Sequence, residues 1–359
     1  MTAANSTVRT DTVRTGQTRQ SAAEPMTVAF EVQITAVQQL TPTFRRITFG
    51  GYSLRDFGVH GNTLDLRIKL MIPSLAEDGS TLPLPELRTE QTGWYQNWLA
   101  RDQDTRGSMR TYTVRRERLD AVYPEIDVDF VLHVDGAGNG GPAANWALGA
   151  KPGDTITLIG PNNRAAHCVT AGHYSGIEWR PGLAQRVLLA GDETAVPAIS
   201  AILESLPGYM SGHAILEVPE TSDFQELRTA ADFDITWLAR GAAARPVPHG
   251  QLLQEAVRAA VPLPGWVGLR APERAAGPEP EDVNVDQEIL WETPARMDAA
   301  AIGAGRNPDT PAGALPFYAW LAGEAGAIKD LRRYLVRDVG IDRKQVAFMG
   351  YWRQGKAEL

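Results

Sequence analysis

The stretch "SMRTYTVRRE" (residues 108–117) decides how this chain is read. It is too polar for a fully buried strand, yet its Thr, Tyr and Val favour extended backbone over a loop. Arg110, Tyr112 and Thr113 fall within four residues. Such a strand offers a flat face, a hydroxyl and a planar cation suited to a phosphate. Taken alone, it also reads as an exposed strand with ordinary surface arginines.

Further strands flank it. "VAFEVQITAV" (28–37) alternates apolar and polar residues, "FRRITFGG" (44–51) follows a turn, and "TLDLRIKLMIP" (63–73) is a third. "EIDVDFVLHV" (125–134) places Ile126, Val128, Phe130 and Leu132 on one face, and "KPGD" turns into "TITLIGP" (155–161). With the opening stretch these make six short strands, which predict a six-stranded antiparallel Greek-key β-barrel filling a domain at 26–180. Residues 74–107 interrupt it as a long loop.

From about 185 the period changes. "QRVLLAG" (185–191) is a continuous apolar strand, and "DETAVPAISAILESL" (192–206) is a helix with Val196, Ile199, Ile202, Leu203 and Leu206 on its apolar face. Strands "GHAILEVP", "DITWLAR", "FYAWLAG" (317–323) and "QVAFMGYW" (345–352) alternate with helices at 249–261 and 324–340. That alternation predicts a parallel α/β sheet over 181–359. Residues 271–315 break it with nine acids, three arginines and six prolines. This composition buries little and predicts an acidic insertion dispensable for folding. A solvated loop and a lid or docking segment are both open readings.

Composition sets outer limits. The chain has 359 residues and a net charge of −8, which argues against general nucleic-acid binding. No run of apolar residues is long enough to span a membrane. The first 25 residues, polar and Thr-rich, read as a disordered leader without the apolar core of a secretory signal, so a cytoplasmic location is expected. One cysteine, Cys168, precludes an internal disulfide, and six scattered histidines give no metal-ligand spacing. A monomer is expected, with no protein-held metal.

"LHVDGAGNGGPAANWALGAKPGD" (132–154) carries the second signal. A strand, a glycine run and a small-residue helix form a phosphate cradle, since glycine and alanine admit an anion to the free N–H groups of a helix start. Pro142 suits the first helical turn. "GAGNGG" matches a dinucleotide fingerprint on paper, but a barrel strand follows it rather than a βαβ unit, so that reading fails. Further on, "GDET" ends the first strand of the α/β half, where ligands approach such sheets. Its two acids, Asp192 and Glu193, are candidates to cap the following helix.

Set in order, these stretches resemble the siderophore-interacting proteins, or ferric-siderophore reductases. The shared features are "RTYT" (110–113), His133, "GPAANWA" (141–147), "GDETAVPA" (191–198), "AGEAGAIKDLRRYL" (322–335) and "GYWRQG" (350–355). The departures are "AGNG" before Gly141, the 74–107 loop and the 271–315 insertion. The resemblance implies an FAD-dependent, ferredoxin-reductase-like enzyme that reduces Fe(III) in a siderophore chelate to Fe(II), drawing on NAD(P)H or reduced ferredoxin. It implies that Arg110, Tyr112 and Thr113 hold the phosphate and the isoalloxazine, and that Gly141, Pro142, Ala143, Trp146 and Ala147 line the diphosphate side. His133 is either beside the FAD or structural. Asp192 and Thr194 belong to the cofactor side of the α/β half, and Gly323 and Glu324 occupy the equivalent strand end. Trp352 is either core or a cover over the flavin. Arg353 and Lys356 are expected to attract an anionic chelate or to belong to a solvated tail. Two other functions stay open: an NAD(P)H:flavin or ferredoxin-type reductase with another acceptor, and a siderophore-binding protein without turnover.

Overall fold

The RTYT strand closes the barrel. In the computed structural model, residues 24–76, 80–134, 140–165, 174–242, 247–261, 291–292 and 317–355 are described. The first sheet holds β1 (Thr27–Gln39), β2 (Phe44–Gly50), β3 (Arg67–Ile72), β4 (Ser108–Thr113), β5 (Arg116–Arg118), β6 (Glu125–Val131) and β7 (Thr155–Pro161), in the order β4-β3-β7-β1-β2-β6-β5. Its two edge strands, β4 and β5, are consecutive in the chain. Thr113 pairs with Arg67 on β3, while Arg116 pairs with Asp127 on β6. Between them the Val114 N–H donates to Leu66 and the Arg115 N–H to Asp127. Residues 108–118 are therefore one stave with a neighbour on each side, and the sheet is the expected six-stave barrel with crossed, Greek-key connections.

Period-two patterning explains its interior. Phe30, Val32 and Ile34 of β1, Ile47 and Phe49 of β2, and Ile126, Val128 and Phe130 of β6 are buried together. The 74–107 stretch departs from a plain loop. It folds a short helix, α1 (Trp94–Leu99), whose Trp98 packs with Met71 and Ile159 on the outside of the barrel. The Trp98 indole N–H donates to the Arg106 carbonyl, so the ring is buried without an orphaned donor.

The second sheet holds β8 (Arg186–Gly191), β9 (Ser211–Val218), β10 (Asp232–Ala239), β11 (Trp291–Glu292), β12 (Phe317–Glu324) and β13 (Val346–Trp352). Its order is β10-β9-β8-β12-β13-β11, parallel except for β11. Strand order reverses between β8 and β12, and the crevice outside their carboxyl ends is where such sheets bind ligands. The connecting helices are α2 (Pro142–Gly149) from the barrel, then α3 (Val196–Ser205), α4 (Gln251–Ala260) and α5 (Ala325–Arg333), the last continued by a π turn at Tyr334–Val339. β11 falls inside the expected acidic insertion, so that stretch is not wholly outside the folded body. The leader (residues 1–23), Cys168, Lys356 and the rest of the insertion lie outside the described residues.

Buried polar ties join the two halves. Asp223 accepts from the Thr41 and Thr43 hydroxyls and the Thr43 N–H, and Arg115 grips Glu204 through both terminal nitrogens. Asp65, just before β3, accepts from the Glu178 and Trp179 N–H groups and from the Trp320 indole of β12. Burial pushes the Asp65 carboxyl up to about 6, against the pull of those donors.

Candidate functional site

Helix α2 packs against β3, β4 and β6 at the barrel's end facing the second sheet. A run of rings makes the join: Tyr112 lies 4.3 Å from Phe130, and Phe130 lies 5.6 Å from Trp146 of α2. Trp146 and Ala147 are buried in this contact, which sets the helix axis relative to the RTYT strand. Arg110 is half-buried and donates to its neighbour's carbonyl on Met109. Thr113 is buried.

The start of α2 is bare. Gly141 is its N-cap, Pro142 occupies the first turn, and among the described residues no side chain caps it. A Cβ at Gly141 would meet no described residue within 4 Å. Uncapped N–H groups suit an anion, and the partial positive charge of the helix end adds to the attraction. The residues here fit a diphosphate-bearing cofactor. Asn145 steadies the approach by bonding the Gly140 N–H and carbonyl.

The facing side is the reverse: every acid there is already engaged. Asp192, 1 % exposed, accepts from the Thr194 N–H, the Thr194 hydroxyl, the Glu324 N–H and the Trp352 indole. It does not cap α3, whose N-cap is Ala195 without a side-chain bond. The capping role belongs to Glu324, which accepts from Ala327 at the start of α5. Asp192 instead ties β8, β12 and β13 at the switch point. Gly323 makes this possible: its φ is +148°, and a Cβ there would lie 2.6 Å from an Asp192 oxygen.

Glu193 anchors a second knot. Arg240, at the end of β10, reaches both its oxygens at 2.8 and 2.9 Å and also contacts Glu217 of β9 at 3.2 Å. Glu217 in turn accepts from the Gly250 and Leu253 N–H groups at the start of α4. His133, reaching across from the barrel, bonds Glu193 at 2.8 Å. His249 sits 3.6 Å from both Asp192 and Glu193, with its ring edge-on to Trp352 at 5.0 Å. Burial opposes charge on Glu193, but the bonds from His133 and Arg240, with the nearby His249 ring adding to them, outweigh it and hold that carboxyl well below its usual range. Burial, with Glu193 beside it, raises the Asp192 carboxyl. Burial also works against a charged His249, yet the two carboxylates prevail and its pKa is raised.

The expected residues thus form two facing groups. Arg110, Tyr112, Thr113 and the 141–147 segment make one, and Asp192, Thr194, Trp352 and Glu324 make the other, with His133 bridging them. Trp352 is half-buried, bonded to Asp192 and 5.6 Å from the His133 ring. Arg353 follows it, half-buried. Sequence reasoning missed Glu217, Arg240 and His249. A lone acid in the apolar run "AILEVP" and an arginine ending the next strand were the available signals. Trp291 was also missed. It stacks on Tyr351 at 5.9 Å, lies under the Arg67 guanidinium at 4.1 Å and donates to Glu178.

A barrel with an anion cradle, set against the switch point of a 3-2-1-4-5 parallel sheet, defines a β-barrel plus α/β architecture suited to a diphosphate-bearing cofactor. The family models agree: residues 33–165 match the siderophore-interacting FAD-binding domain and residues 184–355 the siderophore-interacting protein model. The chain belongs to the siderophore-interacting protein family. It is 30% identical to an uncharacterised protein of Mycobacterium tuberculosis, over 92% of this chain and 91% of that one. It is 28% identical to the ferric vibriobactin reductase ViuB of Vibrio cholerae, over 87% and 85% of the two chains. The crystal structure of a siderophore utilization protein from T. fusca superposes with a TM-score of 0.61 at 25% identity, covering 94% of this chain and 98% of that one.

Proposed function

We propose that this chain is an FAD-dependent ferric-siderophore reductase, working as a monomer in the cytoplasm and fed by NAD(P)H or reduced ferredoxin. The observation that carries this is the uncapped start of α2 beside the RTYT strand, facing a crevice of fully engaged acids across His133. Residues 26–180 hold the FAD. Arg110 and the first turn of α2 take the diphosphate, and Tyr112 and Thr113 border the ring. Residues 181–359 receive the electron donor at the switch point. Asp192 and Thr194 shape that pocket by holding three strand ends in place, and Trp352 borders it. Bound FAD would accept one hydride, carrying two electrons, and pass those electrons on one at a time, which matches a two-electron donor to a one-electron ferric acceptor. The protein's residues bind, orient and exclude water. Reduction lowers the charge on iron, and its bonds to the hard oxygen donors of the chelate weaken.

The visible spectrum of the purified protein tests this, taken before and after NADH, NADPH and a ferric siderophore, with a ferrous-specific dye present. A yellow protein that bleaches with a nicotinamide and reoxidises as the dye colours is expected. A colourless protein that takes up no FAD would point to a binding protein, and reoxidation by other acceptors alone would point to a different reductase.

Arg353 and Lys356 steer an anionic chelate in this reading. The variant Arg353→Ala/Lys356→Ala is expected to lose kcat/KM for an anionic ferric chelate at low salt, with less effect on a neutral chelate or at high salt. Equal kcat/KM for parent and variant at low salt would remove both residues from the substrate path.

A further inference from the structure

We propose that the far end of the barrel holds a second binding site, for a small organic cation bearing a primary ammonium or guanidinium group. A cavity of about 530 Å³ opens there between residues 57–61, the β5–β6 hairpin and Asn163. It shares no residue with either face of the candidate cofactor cleft. Glu117, which lines it, is four residues beyond Thr113 along the same stave, or roughly 13 Å at strand rise.

The cavity's chemistry selects the class of ligand. Glu117 faces the barrel interior opposite Ile126, and its Oε2 is buried without a hydrogen-bond partner among the described residues. A buried carboxylate oxygen without a donor is costly, and a ligand N–H relieves that cost. The neighbouring groups do not supply one. Arg118 lines the same cavity, but its guanidinium is spent on Asp127 and Glu125. Asp120 adds a second negative charge at the rim, and His60 is exposed. Burial, with Asp120 nearby, pushes the Glu117 carboxyl up to about 7.

Phe57, Val59, Leu119 and Ala121 bring apolar side chains to the rest of a wall that also includes Asn163 and glycine backbone. Phe57 and Val59 are buried and Leu119 is half-buried. These side chains can pack against the carbon body of an organic cation. Among the described residues, no group of three or more His, Cys, Asp or Glu side chains comes together to hold a metal. Gly61, at φ +110°, leaves its side of the mouth open, since a Cβ there would meet nothing within 4 Å. An anion is excluded by the two carboxyl groups.

The site makes a proton-linked prediction. The cation pairs with the ionised form of Glu117, so binding releases a proton below pH 7 and affinity levels off above it. With one coupled proton and a carboxyl at about 7, affinity at pH 8 is about tenfold that at pH 6. His60 and Asp120 face the same space, and the variants His60→Gln and Asp120→Asn separate their contributions.

The experiment titrates the full-length protein with n-butylamine, ethylguanidine, tetramethylammonium and MgCl₂, following heat and the Glu117 carboxyl resonance by NMR. The first two are expected to bind one equivalent and shift that resonance, while tetramethylammonium, which has no N–H, and Mg²⁺ leave it unmoved. Glu117→Gln is expected to lose at least tenfold in amine affinity, to lose the pH dependence and to keep its FAD. Two results would overturn the site: no response to either N–H cation, or a Glu117→Gln variant that binds them as the parent does. A carboxyl with only a structural role would change stability on substitution and leave both titrations blank.

Discussion

The two sides of the candidate cofactor cleft are built on opposite plans. On the barrel side, no described side chain caps the first turn of α2 or stands within 4 Å of a Cβ at Gly141. On the sheet side, Asp192, Glu193 and Glu217 are all bonded by groups of the protein itself. One side is finished only by a ligand, and the other is finished on folding. In the proposed function, a strongly held cofactor and a passing electron donor call for this difference. The resident group supplies the missing partners, while a visitor finds a wall that does not rearrange.

The largest test of that contrast removes Arg240. Its loss leaves Glu193 and Glu217 buried without their shared cation, which costs on the order of 3–5 kcal/mol of stability. Urea unfolding of Arg240→Ala is expected to show that drop, and a loss below about 1 kcal/mol would mean the sheet side is not held by this ion pair. Next in size is the seam between the sides. The folded protein keeps a proton on Asp65 up to about 6, whereas the unfolded chain releases it near 3.8. The folded state therefore binds more protons between those values, and stability falls as pH rises through them, by about 3 kcal/mol, and is level above. Asp65→Asn is expected to abolish that part of the slope when both proteins are unfolded at pH 4 and pH 7. Parallel curves would show that Asp65 does not hold its proton.

The barrel side should respond in ligand affinity and leave folding intact. Arg110→Ala is expected to weaken FAD retention by about 2–3 kcal/mol, read from the spectrum after dialysis, with the apoprotein's Tm unchanged. A lower Tm with normal FAD content would reverse the contrast at that residue. The smallest effect concerns Trp291. Losing its stack on Tyr351 and its place under Arg67 is worth about 1 kcal/mol, and Trp291→Ala should show it as a slightly lower Tm at constant flavin content. No change would make β11 an incidental edge, and replacing 271–315 with a Gly/Ser link would then cost nothing.

Local pattern carried much of this into the sequence. Alternation at Ile126, Val128 and Phe130 fixed a barrel strand, and the continuous run at 185–191 marked a parallel one. The RTYT strand and the GPAANWA helix were legible because their residue types serve a ligand more than a core. What could not be read was convergence. Glu193, Glu217 and Arg240 end three different strands, and only the order β10-β9-β8 brings them together. His249 looked like any residue ahead of a helix. Asp192 had the position of a cap, but its oxygens turn to β12 and β13, which lie far away in sequence. The helix within 74–107 was hidden because its stabilising contact, Trp98 on Met71 and Ile159, is with the barrel and not within itself.

The closing stave has a consequence for exchange with solvent. The Val114 and Arg115 amides donate to opposite neighbours, and both residues are buried. Neither can trade its proton for deuterium until the barrel comes apart, so their exchange times the rarest opening of this half. The first-turn amides of α2 have no described side chain capping them and should exchange early. When FAD binds, the early set should slow sharply. The slow pair should slow further only by the binding energy that opening must forfeit. Two sets of amides in one half of the molecule thus report separately on whether the cradle is filled and on how firmly its walls are shut.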